Sequence, residues 1–181
     1  MNRVEALKTV ESKIQNKNLV KHMLAVEVCM RSLAKKFGED EEKWALAGLL
    51  HDLDYDETKD DFSKHGILSA EILEEKGAPV EVIEAIKAHP GHFPRNSKMA
   101  KALYAVDPLT GLIVAATLMH PDKKLEPVTT QFVMNRSKEK HFARGANREQ
   151  IKSCEELGLT VEEFVDISLA AMKTIGKDLG L

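Results

Sequence analysis

Residues 102–119 read ALYAVDPLTGLIVAATLM, and Asp107 is the only charged side chain among these 18 residues. An apolar run of this length suits a membrane span or a core helix, but Asp107, Pro108 and Gly111 inside it make the lipid-spanning reading poor. A buried core helix is the better reading. A carboxylate in such surroundings is costly unless it is paired or bound to a cation. Lys101 is six residues back, and no Lys or Arg follows within one helical turn, so the partner must come from elsewhere in the fold. With a cation beside it, Asp107 is expected to titrate below the usual carboxylate range; stripped of that cation, desolvation is expected to push it above.

The flanking sequence is helical as well. Apolar residues recur at helical spacing and nothing alternates convincingly at period two. Val4, Leu7, Val10 and Ile14 stripe a first helix, ending at Asn16-Lys17-Asn18. Asn18 is a candidate cap for a second, with Leu19, His22, Met23, Val26, Cys29, Met30 and Leu33 on one face and Gly38 as its stop. Asp40 caps a third, in which Trp44, Ala47, Gly48 and His51 share a face. The polar stretch from Asp54 to Asp61 reads as a solvated loop. A helix is expected from His65 to Lys76, and another from Pro79, a residue favoured in a first turn, to His89-Pro90. Ser97 caps the long helix to about His120, which should bend at Pro108 because proline removes an intrahelical bond. Asn147 and Thr160 cap two more, and Thr160 with Glu163 has capping-box spacing. The expectation is an all-α, single-domain bundle of about seven to nine helices over residues 1–181.

Bulk properties narrow the function. At 181 residues, 43% hydrophobic and 30% charged, the chain has the size and composition of one globular domain. A net charge of −3 and 5% aromatic residues give little pull toward nucleic acid or anionic membrane and few base-stacking platforms. Neither a membrane nor a nucleic-acid polymer is an expected partner. Cys29 and Cys154 form no CxxC pair and read as reduced thiols; with no signal-peptide stretch at the N-terminus, a cytoplasmic location is expected.

Three histidines continue apolar stripes: His22 with Leu19 and Val26, His51 with Trp44 and Ala47, and His89 with Val82 and Ile86. One such residue is ordinarily a hydrogen-bonded core histidine. Three together, with Asp52 and the isolated Asp107, point to a metal. Imidazole and carboxylate donors suit Mn, Fe, Co, Ni or Zn, and two cysteines are too few for a thiolate site.

The order His22, His51-Asp52, Asp107, with the local text AGLLHDLD, HGILSAEIL, AIKAHPG and LYAVDPLTGL, resembles the HD superfamily of metal-dependent phosphohydrolases over roughly residues 18–120. The resemblance implies a helical fold in which Asp52 bridges two divalent metals and is central to catalysis. His22, His51 and Asp107 would hold one ion, and His65 and His89 the other. It also implies a small phosphate ester or nucleotide as substrate. Residues 121–181 form a C-terminal helical extension without a motif of known role. Where many family members carry a lysine shortly after the His-Asp pair, Asp54-Tyr55-Asp56-Glu57 follows here, read as solvated or else as groups orienting a bound water. Two other functions suit the same donors: a di-iron oxygenase on this scaffold, and a non-catalytic metal-binding module. A homodimer is also entertained.

The basic segment 136–148, RSKEKHFARGANR, supplies candidates for holding a substrate phosphate. Arg144 is the best single choice because Gly145 permits close backbone approach and guanidinium binds phosphate in a fork; Arg148 is the second. Cys29 lies on a core stripe and is expected to be packed, not reactive.

Overall fold

Helix punctuation accounts for most of the element boundaries in the computed structural model, which describes residues 1–181. The chain is all-α, with helices α1 (Arg3–Lys13), α2 (Lys17–Phe37), α3 (Glu41–Leu50), α4 (Tyr55–Thr58), α5 (Ile67–Glu75), α6 (Val80–Ala88), α7 (Lys98–Met119), α8 (Thr130–Ser137), α9 (Arg148–Lys152), α10 (Val161–Lys173) and α11 (Gly176–Leu179). Setting aside α4, α9 and α11, of five residues or fewer, eight helices remain, within the expected seven to nine.

Asp40, Ser97, Asn147 and Thr160 cap α3, α7, α9 and α10 as their positions predict, and Thr160 with Glu163 forms the reciprocal capping box. Gly38 ends α2 in the left-handed conformation at φ +68°. Three local expectations need correction. Asn16, not Asn18, caps α2, because its side chain accepts from the amides of Asn18 and Leu19. The first helix buries Ala6, Thr9 and Val10, while Val4 is exposed. Alanine and threonine are small enough to face a close neighbour, and an apolar count overlooks them. The segment expected as helix from His65 starts only at Ile67, since a 3-10 turn at Phe62–Lys64 and a left-handed Gly66 come first.

The long helix α7 runs through Pro108. It is long and apolar enough by composition to cross a membrane, yet α2, α3, α6, α8, α9 and α10 pack around it, and Leu103, Val106, Leu109 and Ile113 are fully buried. Helix α2 is the other axis of the core and packs on α3, α7, α10 and α11. Gly48 sets the α2–α3 approach: a Cβ there would stand 2.8 Å from Glu27 Cα and from Glu27 N. Only a hydrogen fits. Glu27 is itself buried, and Arg3 grips both of its carboxylate oxygens, tying α1 to α2. The close crossing brings His51, at the end of α3, alongside His22 in the first turns of α2.

Candidate metal centre

His22, His51, Asp52, His65, His89 and Asp107 come from α2, the end of α3, the turn before α5, the end of α6 and the middle of α7, and they meet in one cluster. Asp52 is its middle. Its Oδ2 lies 3.3 Å from His51 Nε2 and 3.6 Å from His22 Nε2. Its Oδ1 lies 3.3 Å from His65 Nε2 and 3.6 Å from His89 Nε2. Asp107 Oδ1 joins the first group, 3.1 Å from His22 Nε2 and 3.8 Å from His51 Nε2. The carboxylate of Asp52 thus faces two histidine pairs, one with each oxygen.

The outward nitrogens of the four imidazoles are all occupied. His51 Nδ1 donates to the Gly48 carbonyl at 2.9 Å, and His89 Nδ1 to the Ile86 carbonyl at 2.6 Å. His65 Nδ1 donates to Asp54 Oδ1 at 2.8 Å. His22 Nδ1 donates to Thr110 Oγ1 at 3.1 Å, since that hydroxyl spends its own hydrogen on the Asp107 carbonyl. With every Nδ1 carrying its hydrogen toward an acceptor, each neutral imidazole turns an Nε2 lone pair inward. Yet His22 and His51 Nε2 are 3.2 Å apart, and His65 and His89 Nε2 are 3.1 Å apart. Two lone pairs at that distance repel unless a proton or a metal cation stands between them. Outward nitrogens fixed and inward ones convergent on a carboxylate are the arrangement that suits divalent metal.

Without metal the cluster holds protons. Burial lowers the His51 imidazole, but Asp52 and Asp107 outweigh it and raise it to about 8. Burial likewise opposes His65, which Asp52 and Asp54 carry up to about 9. His89 is the exception: burial keeps it below its ordinary value, despite Asp52. Desolvation would raise Asp52, but the imidazoles of His51, His65 and His89 hold it well below the carboxylate range. The expectation that metal-free Asp107 would be pushed upward is overturned. Desolvation acts in that direction, but His22 and His51 hold the carboxyl low. Its sequence neighbours are apolar; its spatial neighbours are not.

Asp54 is the residue the sequence reading placed in solvent by default. It is fully buried. Besides accepting from His65, its Oδ2 accepts from the Gly66 and Ser69 amides at 2.8 and 3.0 Å. Gly66 permits this: at φ +78° it is left-handed, and a Cβ there would stand 2.9 Å from the Ile86 carbonyl. The available signal was the outer-sphere alternative for this loop, and an acidic residue two positions after a metal-ligating aspartate gave no means of choosing. Glu57 is exposed and Asp56 half-buried.

The cluster is open on one side only. Side-chain exposure is 24% for His22 and 28% for Asp107, against 0% for His51 and 1% for His89. A cavity of about 390 Å³ lies on this open edge, lined by His22, Asp107, Gly111 and the loop residues Ala143, Gly145 and Ala146. Arg144 sits between two of those loop residues, exposed, with Nη2 3.1 Å from His141 Nδ1. Arg148 does not serve as expected. Its guanidinium bonds the carbonyls of Ser137, Phe142, Ala143 and Ala146. With four of its five N–H donors on backbone carbonyls, it holds the loop in place, including Ala143 at φ +44°, and cannot grip a phosphate in a fork without releasing them.

The HD domain family model matches residues 19–126, a span that includes all six clustered side chains. The chain belongs to the HD-domain family, a superfamily of metal-dependent phosphohydrolases. Among similar curated proteins are the Ribonuclease Y of Oleidesulfovibrio alaskensis, 30% identical over 53% of this chain and 18% of that one, and that of a Sulfurovum species, 30% identical over 73% and 26%. A third, from a Nitratiruptor species, is 38% identical over 51% of this chain and 18% of its own length. The chain therefore spans about a quarter or less of these relatives. No solved structure matches it.

Proposed function

We propose that this protein is a phosphohydrolase acting on a small phosphate ester or nucleotide at a site of two divalent metals. Asp52 would be shared between them; His22, His51 and Asp107 would hold one, and His65 and His89 the other. The observation that carries this reading is the division of Asp52 between two histidine pairs whose inward nitrogens carry lone pairs. Bound metals would polarise the phosphoryl oxygens and lower the pKa of a water between them. The chain's own part is positional. Gly48, Ile86, Asp54 and Thr110 fix the four imidazole rings, and the buried side of the cluster keeps bulk water out. The open edge at His22 and Asp107 admits the phosphate, and Arg144, carried by the neighbouring loop, is the guanidinium that meets it. The two buried, unpaired cysteines fit a reducing cytoplasmic compartment.

A second substrate, RNA, is favoured by one observation: the similar curated proteins are ribonucleases by name. The deciding experiment is elemental analysis of protein purified without chelator, followed by a screen of mononucleotides, simple phosphate esters and oligoribonucleotides with Mn, Fe, Co, Ni and Zn. Turnover of monoesters supports the reading; turnover of oligoribonucleotides alone moves the substrate to RNA. Absence of metal and of all turnover contradicts it.

A further inference from the structure

A second cavity, of about 460 Å³, opens from the same edge of the cluster. It runs between α2, α7 and the segment Leu179–Leu181, and it shares His22 and Gly111 with the cavity over the metal centre. Its size lies in the range of small-molecule sites, which run from about 300 to 1,000 Å³. The walls are aliphatic, from Ala25, Val114, Leu118 and Leu179; His22 and Thr110 mark the metal edge, and the remaining polar side chains are Asn18 and Lys21. An apolar channel with a few hydrogen-bonding groups is how binding sites take a flat organic group with a polar edge.

Gly111 stands where the two cavities meet. It lies in the interior of α7, where glycine is less favourable than alanine. No local geometry demands it: a Cβ there would meet nothing within 4 Å, and its φ is not in the left-handed region. This contrasts with Gly48 and Gly66, where backbone would collide with any side chain. Gly111 is exposed and lines both cavities, so the open space it leaves joins the metal edge to the aliphatic cleft.

We propose that this cleft is the subsite for the leaving alcohol of the substrate, that the alcohol is a nucleoside, and that Gly111 determines specificity by keeping the passage open. The proposal rests on the phosphohydrolase reading for the placement of phosphate at His22 and Asp107. The nucleoside then lies between Val114 and Leu118 on one side and Ala25 on the other, with its base edge toward Asn18 and Lys21. A cleft of this size suits a mononucleotide over a polymer.

The test measures binding of free nucleosides, which carry no phosphate, to the metal-loaded protein by calorimetry. It also measures kcat/KM for nucleoside monophosphates relative to glycerol phosphate. Gly111→Leu should weaken nucleoside binding at least tenfold and lower that kinetic ratio at least tenfold, with metal content unchanged. Gly111→Ala should change binding less than threefold. Leu118→Arg, at the exposed end of the cleft and away from the metals, should weaken nucleoside binding several-fold and serves if Gly111→Leu folds poorly. Equal nucleoside binding by wild type, Gly111→Leu and Leu118→Arg overturns the proposal, as does an effect seen only with oligoribonucleotides. If wild type turns over no ester but binds nucleosides with this dependence on Gly111 and Leu118, the cleft assignment stands and the phosphohydrolase reading falls.

Discussion

Asp54 Oδ1 accepts the Nδ1 hydrogen of His65 at 2.8 Å, and this one bond settles which way the His65 ring presents its second nitrogen. Nε2 is left facing Asp52 Oδ1 at 3.3 Å. Asp54 is thus a positioning residue one bond removed from the centre, and the Gly66 and Ser69 amides on its other oxygen hold it there.

Asp54→Asn should therefore weaken binding of the ion at His65 and His89 by about 10- to 100-fold, the usual loss for an outer-sphere partner of a metal-ligating histidine. Asp54→Ala should also destabilise the fold, because each buried amide left without its acceptor costs about 1–3 kcal/mol. Metal titration and thermal melts of both variants check this. Unchanged affinity in Asp54→Asn would mean that His65 needs no such support.

The pH dependence of the metal-free protein follows from the same cluster. His51 at about 8 and His65 at about 9 lie above the ordinary 6.5, so the folded state binds their protons more tightly than the unfolded one. Their stabilisation is complete below about pH 6.5 and is lost as pH rises through 8 to 9. His89, held low by burial, acts oppositely: its contribution is present above about pH 6.5 and lost as pH falls. The melting temperature of chelator-treated protein should drop between pH 6.5 and 9. Metal-loaded protein should drop less, because the cations replace those protons, and metal affinity should climb over the same window. A metal-free melting temperature that rises from pH 6.5 to 9 contradicts the assignment.

Asp107→Asn separates ligand from structural roles. The carboxylate is paired with His22 at 3.1 Å and partly exposed, so in the metal-free protein the substitution should change stability by no more than about 1 kcal/mol. In the metal-loaded protein it should remove the stabilisation that bound metal confers by mass action. Melts with and without chelator measure both. Equal destabilisation of the two forms would make Asp107 a structural residue.

Two arginines and two glycines give paired contrasts. Arg148→Ala should lower the melting temperature, since three loop carbonyls and the last carbonyl of α8 lose their donor; Arg144→Ala should leave it unchanged while lowering kcat/KM. Gly48→Ala should cost about 1–3 kcal/mol by overpacking, because the atoms 2.8 Å away belong to the α2 backbone and have nowhere to go. Gly111→Ala, with open space around it, should gain up to about 1 kcal/mol from helix propensity. Thermal denaturation of the four variants checks the set, and a Gly48→Ala protein as stable as wild type would contradict the α2–α3 crossing described.

Much of this was legible in the sequence because two periodic signals overlap. His22, His51 and His89 lie on apolar helical faces, so the pattern that places Leu19 or Val82 in the core also places the imidazoles there. Capping residues mark chain reversals with side chains that act locally, and Asp40, Ser97 and Thr160 were readable for that reason. Asp54 was not, because its role depends on a left-handed Gly66 and two amides that approach only after the chain has turned through Phe62–Lys64. Asp107 was recognised as anomalous, but linear neighbours gave the wrong sign for its metal-free titration; His22 lies 85 positions away in the chain. Arg148 illustrates the same limit, since no spacing reveals that a basic residue faces four backbone carbonyls between Ser137 and Ala146.

Asp52 stands between the two histidine pairs proposed to hold metal, and counting metal tests that arrangement most directly. Elemental analysis per chain should give close to two ions for wild type, about one for the His65→Ala, His89→Ala double variant, and little of either for Asp52→Ala. Metal content in Asp52→Ala equal to that of wild type, in a variant that melts as a folded protein, would contradict the account.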